Sequence, residues 1–134
     1  MIPKIIHCVW VGPSDMPESM RRYIETWKKY CPDYKIVIWD NSALDHIDNR
    51  YVHEAFQCGK WAFVSDYLRL YALYEQGGFY FDSDLELTGS LEQFHDLKFC
   101  IGFETRHKNR PLYVQTALIG AEKENDLIAD LLRI

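Results

Sequence analysis

The sequence predicts an α/β domain in which a mixed, mainly parallel sheet is flanked by helices. The chain opens with a strand, a helix and a second strand, an order that favours parallel pairing through a right-handed crossover. A long helical pattern later ends at a glycine pair and leads directly into a strand of aromatic residues. Because the chain has 134 residues, of which 48 % are hydrophobic, we expect residues 1–134 to form a single domain around one core.

The first half of the chain is predicted to alternate strands and helices. Its strands are rich in β-branched and aromatic residues and end at turn-forming residues, and its helices show apolar stripes of helical period. In order, these elements are a strand over 5–11, a helix that begins after Ser14 or Asp15, a strand over 34–39 and a short helix over 49–57.

The second half begins with the strongest helical signal, Trp61–Gln76, which Gly77-Gly78 ends as a left-handed C-cap. In order, the later elements are a strand over 79–81 that continues in extended form through 85–87, a helical turn or two within 90–97, strands at Phe99–Phe103 and 114–120, and a last helix capped by Asn125. The apolar pattern of this helix reaches Ile134 without a stop signal, so we expect the chain to be a fragment, or a natural short version, of something longer.

Charge and cysteine usage restrict the class of protein. The net charge of −5 and the absence of a basic stripe argue against nucleic acid as a partner. The four cysteines lie far apart, which is typical of reduced thiols rather than a disulfide framework. With no secretory signal and no apolar run of about 20 residues, the cytoplasm is the expected location.

Two charged residues interrupt the helix Trp61–Gln76, which is apolar on nearly all sides and is expected to be buried. Asp66 and Arg69 lie one turn apart on one face. One interpretation is a structural ion pair between positions i and i+3. The other is that a carboxylate and a guanidinium point together into a polar ligand, where they would bind hydroxyl and phosphate groups.

Acidic residues follow the aromatic strand at alternate positions. In extended geometry Tyr80, Asp82, Asp84 and Glu86 would all point to one side. Carboxylates in such a row repel each other unless water or a cation lies between them, and their hard oxygens suit Mg²⁺ or Mn²⁺. A solvated acidic strand is the alternative, and the pattern alone does not decide between the two.

Three further features allow two interpretations each. Trp10, at the end of the first strand, is either a core residue or a surface on which a nucleobase stacks. His7 is predicted to be a core histidine with both ring nitrogens bonded, rather than a metal ligand. The basic cluster at 106–110 is expected to be a solvated loop, or else a surface for an acidic acceptor or lipid phosphate.

Together these motifs resemble a known family. PKIIHCVWVG at 3–12, AFVSDYLR at 62–69 and GGFYFDSD at 77–84 occur in the order found in the DXD sugar-binding glycosyltransferases. That family includes capsular polysaccharide transferases, fungal initiating mannosyltransferases, α-1,4-glycosyltransferases and the catalytic domain of large glucosylating toxins. The resemblance implies a GT-A (Rossmann-like) fold and retaining transfer from a nucleotide-diphospho-sugar. Because family members usually run on for many more residues, it also implies that residues 1–134 lack a C-terminal, acceptor-side segment.

The resemblance also implies roles for individual residues. Trp10 would stack on the base with Val9 beside it, and Tyr80 would line the nucleotide pocket. The remaining donor-binding residues would be Ser65, Asp66, Arg69 and Asp82, with Asp82 and Asp84 as ligands of a divalent ion, Mn²⁺ or Mg²⁺. No residue is assigned as a nucleophile, because the family is described as reacting on the front face of the donor.

The same resemblance implies the partners. These are a UDP- or GDP-sugar as donor and a saccharide or lipid-linked saccharide as acceptor, with peripheral association at the inner face of the membrane. Two alternatives stay open: a truncated domain that binds nucleotide-sugar without turnover, and a haloacid-dehalogenase-type phosphatase. The phosphatase motif normally has Thr or Val where Glu86 stands.

Overall fold

The computed structural model describes residues 1–103 and 114–133. Its strands form one five-stranded sheet of order β2-β1-β3-β5-β4, with helices on both faces. The strands are β1 (Ile5–Val9), β2 (Lys35–Trp39), β3 (Gly78–Phe81), β4 (Phe99–Phe103) and β5 (Val114–Ala121). The α-helices are α1 (Glu18–Tyr30), α2 (Arg50–Gln57), α3 (Trp61–Gln76) and α4 (Asp126–Leu132). Short 3-10 helices occur at Asn41–His46 and Glu92–Phe94.

The sheet has a parallel half and an antiparallel half, so the predicted mixed α/β architecture is confirmed. β1 pairs in parallel with β2 and with β3, while β5 pairs antiparallel with both β3 and β4. One apolar cluster packs between the sheet and α1, around the buried Trp27 and Phe81. A second lies on the other face, around Leu68 of α3 and Ile128 of α4. The parallel half brings the ends of β1 and β3 to one edge of the sheet.

A glycine pair allows α3 to turn sharply into β3. Gly77 and Gly78 have φ values of 68° and 118°, which side chains with a Cβ rarely adopt. A Cβ on Gly78 would lie 2.6 Å from the carbonyl oxygen of Ile5, on the neighbouring strand. The missing side chain therefore permits β3 to lie close beside β1.

Three predicted details were wrong. α1 begins later than expected, at Glu18, because Pro17 rather than Ser14 or Asp15 is its N-cap. α3 has the predicted bounds but is not buried on all sides: Val64, Leu68, Ala72 and Leu73 are buried, whereas Phe63 is half exposed. Residues 85–87 are not a continuation of β3, since the strand ends at Phe81 and the chain turns.

Helix α1 holds the segment that follows this turn. The indole N–H of Trp27 donates to the carbonyl oxygen of Leu85 at 2.8 Å. The backbone N–H of Leu87 donates to the hydroxyl of Thr26 at 3.0 Å, and the Leu87 side chain is buried in the α1 cluster. We call residues 82–84 the acidic turn. The two hydrogen bonds anchor the segment just after this turn to a helix about sixty positions earlier in the chain.

Two further properties concern the chain as a whole. All four cysteines are free thiols. Within the described ranges, every helix is too short or too polar to cross a membrane.

Candidate functional site

A cleft of about 210 Å³ opens where β1 and β3 end. The two strands are parallel neighbours, with His7 beside Tyr80, so their carboxyl ends lie at the same edge of the sheet. Five of the predicted site residues line this cleft: Val9, Trp10, Ser65, Tyr80 and Asp82. Val11, Trp61, Ala62 and Ser83 complete its wall. The residues expected around the nucleotide therefore do share one cavity.

Arg69 links the charged residues of the site. Its guanidinium lies 3.1 Å from a carboxylate oxygen of Asp66 and 3.7 Å from one of Asp82, and its side chain is only 12 % exposed. The guanidinium also lies over the ring of Tyr80, 4.6 Å from the ring centre. The predicted ion pair between Asp66 and Arg69 is present. Asp66 is nevertheless 70 % exposed, and the Arg69 guanidinium also contacts Asp82 and Tyr80, which line the cleft. The ion pair does not exclude a role in ligand binding.

Tyr80 orients the first carboxylate of the acidic turn. Its hydroxyl donates to Asp82 Oδ1 at 2.8 Å, and its ring is buried in the apolar cluster that α3 forms with the sheet. Burial raises the pKa of the Tyr80 phenol well above its usual range, and the nearby carboxylate of Asp82 raises it further. The phenol therefore stays protonated and keeps donating to Asp82.

The acidic residues do not form the extended row that the sequence suggested. The chain turns at Ser83 and Asp84, and the backbone N–H of Leu85 bonds back to the carbonyl oxygen of Asp82 at 3.1 Å. Asp82 is one-third exposed and engaged by Arg69, whereas Asp84 and Glu86 are exposed. The turn therefore breaks the alignment that a straight strand would have given these carboxylates.

The donor set fits a divalent ion in part. No described residue hydrogen-bonds to or forms an ion pair with the Asp84 carboxylate, which leaves its oxygens available. Among residues 1–103 and 114–133, no three His, Cys, Asp or Glu side chains surround a common point. Mg²⁺ and Mn²⁺ commonly take one or two carboxylates and complete their shell with water and phosphate oxygens. Asp84 supplies one such carboxylate, whereas Asp82 is already engaged by Tyr80 and Arg69.

Trp10 is partly buried and also lines the cleft, so it combines features of the two alternatives that its position suggested. Its indole N–H donates to the carbonyl oxygen of Ser14 at 2.9 Å, and one side of the ring packs on the α1 cluster. The ring also lines the cleft. Asn41 holds the loop that follows Trp10. Its side-chain amide accepts from the N–H of Gly12 at 2.8 Å and donates to the Gly12 carbonyl oxygen at 2.9 Å.

Sequence reasoning missed Trp61. Its side chain lies beside Gly12, where an added Cβ would be 3.3 Å from the indole, and it makes an edge contact with Phe56. Trp61 stands one helical turn before Ser65 on the same face of α3, so both reach the cleft. That i,i+4 spacing, in a helix that already contained Ser65 and Asp66, was the signal that could have identified it.

His7 is a core histidine, as predicted. Trp39 donates its indole N–H to Nδ1 at 3.0 Å, which fixes the proton of the neutral ring on Nε2, and Nε2 then donates to the carbonyl oxygen of Gly77 at 2.8 Å. Complete burial lowers the pKa of His7 to about 4. With both nitrogens occupied by protein groups, His7 is not available to a metal ion.

A second cleft, of about 260 Å³, lies on the other side of Arg69. It is enclosed by α3, α4 and the antiparallel half of the sheet. Its wall comprises Asp66, Arg69, Leu70, Phe99, Ile101, Ile119 and Leu131. Arg69 thus lines this cleft while it contacts two residues of the first one, Tyr80 and Asp82. The basic cluster at 106–110 falls outside the described residues.

Comparison with known proteins identifies the family. Residues 17–99 match the profile described as "Glycosyltransferase sugar-binding region containing DXD motif". An uncharacterized glycosyltransferase of Acanthamoeba polyphaga mimivirus is 29 % identical over 119 residues, which are 84 % of this chain and 46 % of that protein. The initiation-specific alpha-1,6-mannosyltransferase of Saccharomyces cerevisiae is 33 % identical over 104 residues, 69 % of this chain and 22 % of that protein.

The fold has a counterpart among solved structures. The PaToxG glycosyltransferase superposes with a TM-score of 0.74 at 25 % identity, over 98 % of this chain and 59 % of that one. Fold and cleft thus define a glycosyltransferase-type α/β domain similar to the GT-A class. The chain belongs to the glycosyltransferase family whose sugar-binding region contains the DXD motif. This assignment removes the phosphatase alternative. The chain spans less than two thirds of each of these relatives.

Proposed function

We propose that this domain binds a nucleotide-diphospho-sugar where β1 and β3 end and transfers the sugar, with retention and metal dependence, to a saccharide or lipid-linked saccharide. The observation that supports the proposal is the position of Arg69, between the cleft of Asp82 and the cleft of Asp66. A donor has two parts, a nucleotide and a sugar, and two adjoining clefts joined by a cation suit such a molecule.

The first cleft suits the nucleotide. Trp10 offers a ring face for the base, with Val9 beside it, and Tyr80 and Asp82 supply polar groups for the ribose. Trp61 adds a second aromatic wall. A cleft that combines aromatic surface with a few fixed polar groups is typical of small-molecule sites. The bases proposed are uracil or guanine.

The second cleft suits one sugar ring. The two charged residues in its wall are Asp66 and Arg69, and the rest of the wall is apolar. A carboxylate and a guanidinium can together bind vicinal hydroxyl groups as acceptor and donor. Ser65 precedes Asp66 on α3 and supports the edge between the two clefts.

Asp84, with Asp82, is proposed to hold a Mn²⁺ or Mg²⁺ ion. When bound, such an ion offsets the negative charge that develops on the departing diphosphate. The chain's own contribution is to orient Asp82 through Tyr80 and to place the guanidinium of Arg69 near the same charge. A cytoplasmic location with peripheral association at a membrane belongs to the same proposal.

Titration calorimetry with UDP, UDP-glucose, UDP-galactose, GDP and GDP-mannose, each with Mn²⁺ and with EDTA, tests the donor site. We expect binding that is much tighter in Mn²⁺ than in EDTA, prefers one base and strengthens when the correct sugar is attached. A folded protein that binds none of the five would contradict the proposal for this chain.

A second candidate is a domain that binds the donor without turnover. It is favoured by the engagement of Asp82, whose carboxylate accepts from Tyr80 and lies 3.7 Å from the Arg69 guanidinium, and is therefore less available to a metal ion. Hydrolysis or transfer of the donor sugar, followed by release of UDP or GDP, separates the two candidates. Metal-dependent binding without any nucleotide release would select the second.

A further inference from the structure

We infer that a groove between α2, α3 and α4 binds the saccharide acceptor, an inference that rests on the proposed function. The groove has a volume of about 540 Å³. We call it the α2–α4 groove and define it by the residues Tyr51, Val52, Phe63, Tyr67, Leu70 and Leu131. Its size lies within the range of about 300–1,000 Å³ that is usual for ligand sites.

Three of the apolar side chains that line the groove are exposed rather than buried in a core. Six large hydrophobic residues are exposed in the described part of the chain, and three of them, Tyr51, Phe63 and Leu131, meet in this groove. Tyr51 is 74 % exposed and Phe63 is 52 % exposed. Phe63, Tyr67 and Leu70 follow the i, i+4, i+7 spacing, so one face of α3 presents them together. Clustered exposed apolar residues mark binding surfaces.

The polar groups of the groove select a saccharide over an alkyl chain. The Asp66 carboxylate, 70 % exposed, opens into it, and Asn49 and Arg133 stand on its rim. A pyranose ring has a face of C–H groups and an edge of hydroxyls, which match an aromatic wall and a polar rim. An alkyl chain would place hydrocarbon against the Asp66 carboxylate, which is exposed beside its pair with Arg69, whereas saccharide hydroxyls can donate to it.

The groove joins the proposed sugar cleft. Asp66, Leu70 and Leu131 line both the groove and the 260 Å³ cleft, so an acceptor in the groove would lie beside a donor sugar held by Asp66 and Arg69. In the transfer step the bond between the anomeric carbon and the diphosphate oxygen breaks, and its electron pair goes to the diphosphate. The acceptor hydroxyl oxygen bonds to the anomeric carbon and gives its proton to the departing diphosphate.

NMR titration of the labelled protein with maltose, cellobiose, α-1,6-mannobiose and diacetylchitobiose, in the presence of UDP or GDP and Mn²⁺, tests the inference. We expect at least one disaccharide to shift the side-chain signals of Tyr51, Phe63 and Leu131. Phe63→Ala and Leu131→Ala should each weaken its binding about tenfold, the loss of roughly one packing contact. Tyr51→Phe, which keeps the ring, should bind better than Tyr51→Ala.

Leu127→Ala is the matched control, because Leu127 is also exposed on α4 but does not line the groove. It should leave disaccharide affinity unchanged. The inference is overturned if no disaccharide shifts the groove signals, if Leu127→Ala is as harmful as Leu131→Ala, or if dilution alone shifts these signals because two copies associate there. Nucleotide binding in the same samples reports separately on the proposed function. If nucleotide binding is retained but no disaccharide shifts the groove signals, the proposed donor site stands and the inferred acceptor site is rejected.

Discussion

Asp82 and Asp84 stand two positions apart but have different surroundings. Asp82 accepts from Tyr80 and lies 3.7 Å from the Arg69 guanidinium, so part of its charge is already balanced within the protein. Asp84 is exposed and lacks a described hydrogen-bond or ion-pair partner. The difference predicts that Asp84 depends on a bound cation more strongly than Asp82 does.

Replacing Asp84 with alanine should remove the metal-dependent part of nucleotide affinity. We expect binding of UDP or GDP in Mn²⁺ to weaken by more than about tenfold, since a carboxylate ligand is lost, while affinity in EDTA stays the same. Calorimetry in both buffers measures this difference. Glu86→Ala is the control, because Glu86 is an exposed carboxylate on the same segment. Equal losses in the two variants would assign the effect to general charge rather than to a ligand.

At the scale of secondary structure, most elements could be predicted because their signals are local. Trp61–Gln76 has the predicted bounds, since its apolar spacing and the Gly77-Gly78 stop lie within the segment itself. Asn125 caps α4 as expected, and Asn49, predicted as the first residue of the short helix, is the N-cap of α2. Residues 85–87 could not be predicted, because the hydrogen bonds that shape them come from Thr26 and Trp27 of α1. A distant partner leaves no local pattern.

The turn from α3 into β3 should be sensitive to the smallest side chain. Gly78→Ala places a Cβ 2.6 Å from the carbonyl oxygen of Ile5 at a φ of 118°, and should lower the free energy of unfolding by about 2–4 kcal/mol. Urea denaturation measures this loss. Gly89→Ala is the control, because nothing lies within 4 Å of its added Cβ. An unfolding midpoint unchanged by Gly78→Ala would show that the two strands can separate without cost.

For the whole molecule, the sequence predicted the composition of the site better than its shape. The residues Val9, Trp10, Ser65, Tyr80 and Asp82 come from three separate elements and do line one cleft. Their roles toward a donor stay predictions. Trp61 and the α2–α4 groove were not anticipated, because α3 was expected to be buried on all sides. Which side of an apolar helix faces solvent depends on the packing of α2 and α4, and this information is absent from the helix itself.

His7 should make the stability of the whole domain depend on pH. Its pKa is about 4 in the folded protein and near 6.5 when unfolded, so between these values only the unfolded chain binds the proton. The stability is fully present above pH 6.5 and falls as the pH drops toward 4, by up to about 3 kcal/mol. Urea denaturation at several pH values measures the slope.

A variant separates His7 from the carboxylates that also titrate near pH 4. His7→Gln can still donate to the carbonyl oxygen of Gly77 but does not titrate. The free energy of unfolding should decline less steeply between pH 6.5 and 4.5, because unfolding of the variant binds about one proton fewer. Identical slopes in the two proteins would contradict the lowered pKa.

The attachment of the acidic turn to α1 has a consequence for how such a site can be adjusted. Thr26 and Trp27 hold the backbone at Leu87 and Leu85, just beyond Asp84, although neither side chain belongs to either cleft. The positions of the Asp82 and Asp84 carboxylates therefore depend on hydrogen bonds from α1, which packs on the opposite face of the sheet from α3. A change on the buried side of α1 can shift them by fractions of an ångström without altering any group that touches a ligand. The proposed metal preference and donor affinity would in this way be adjustable independently of the residues proposed to bind the sugar.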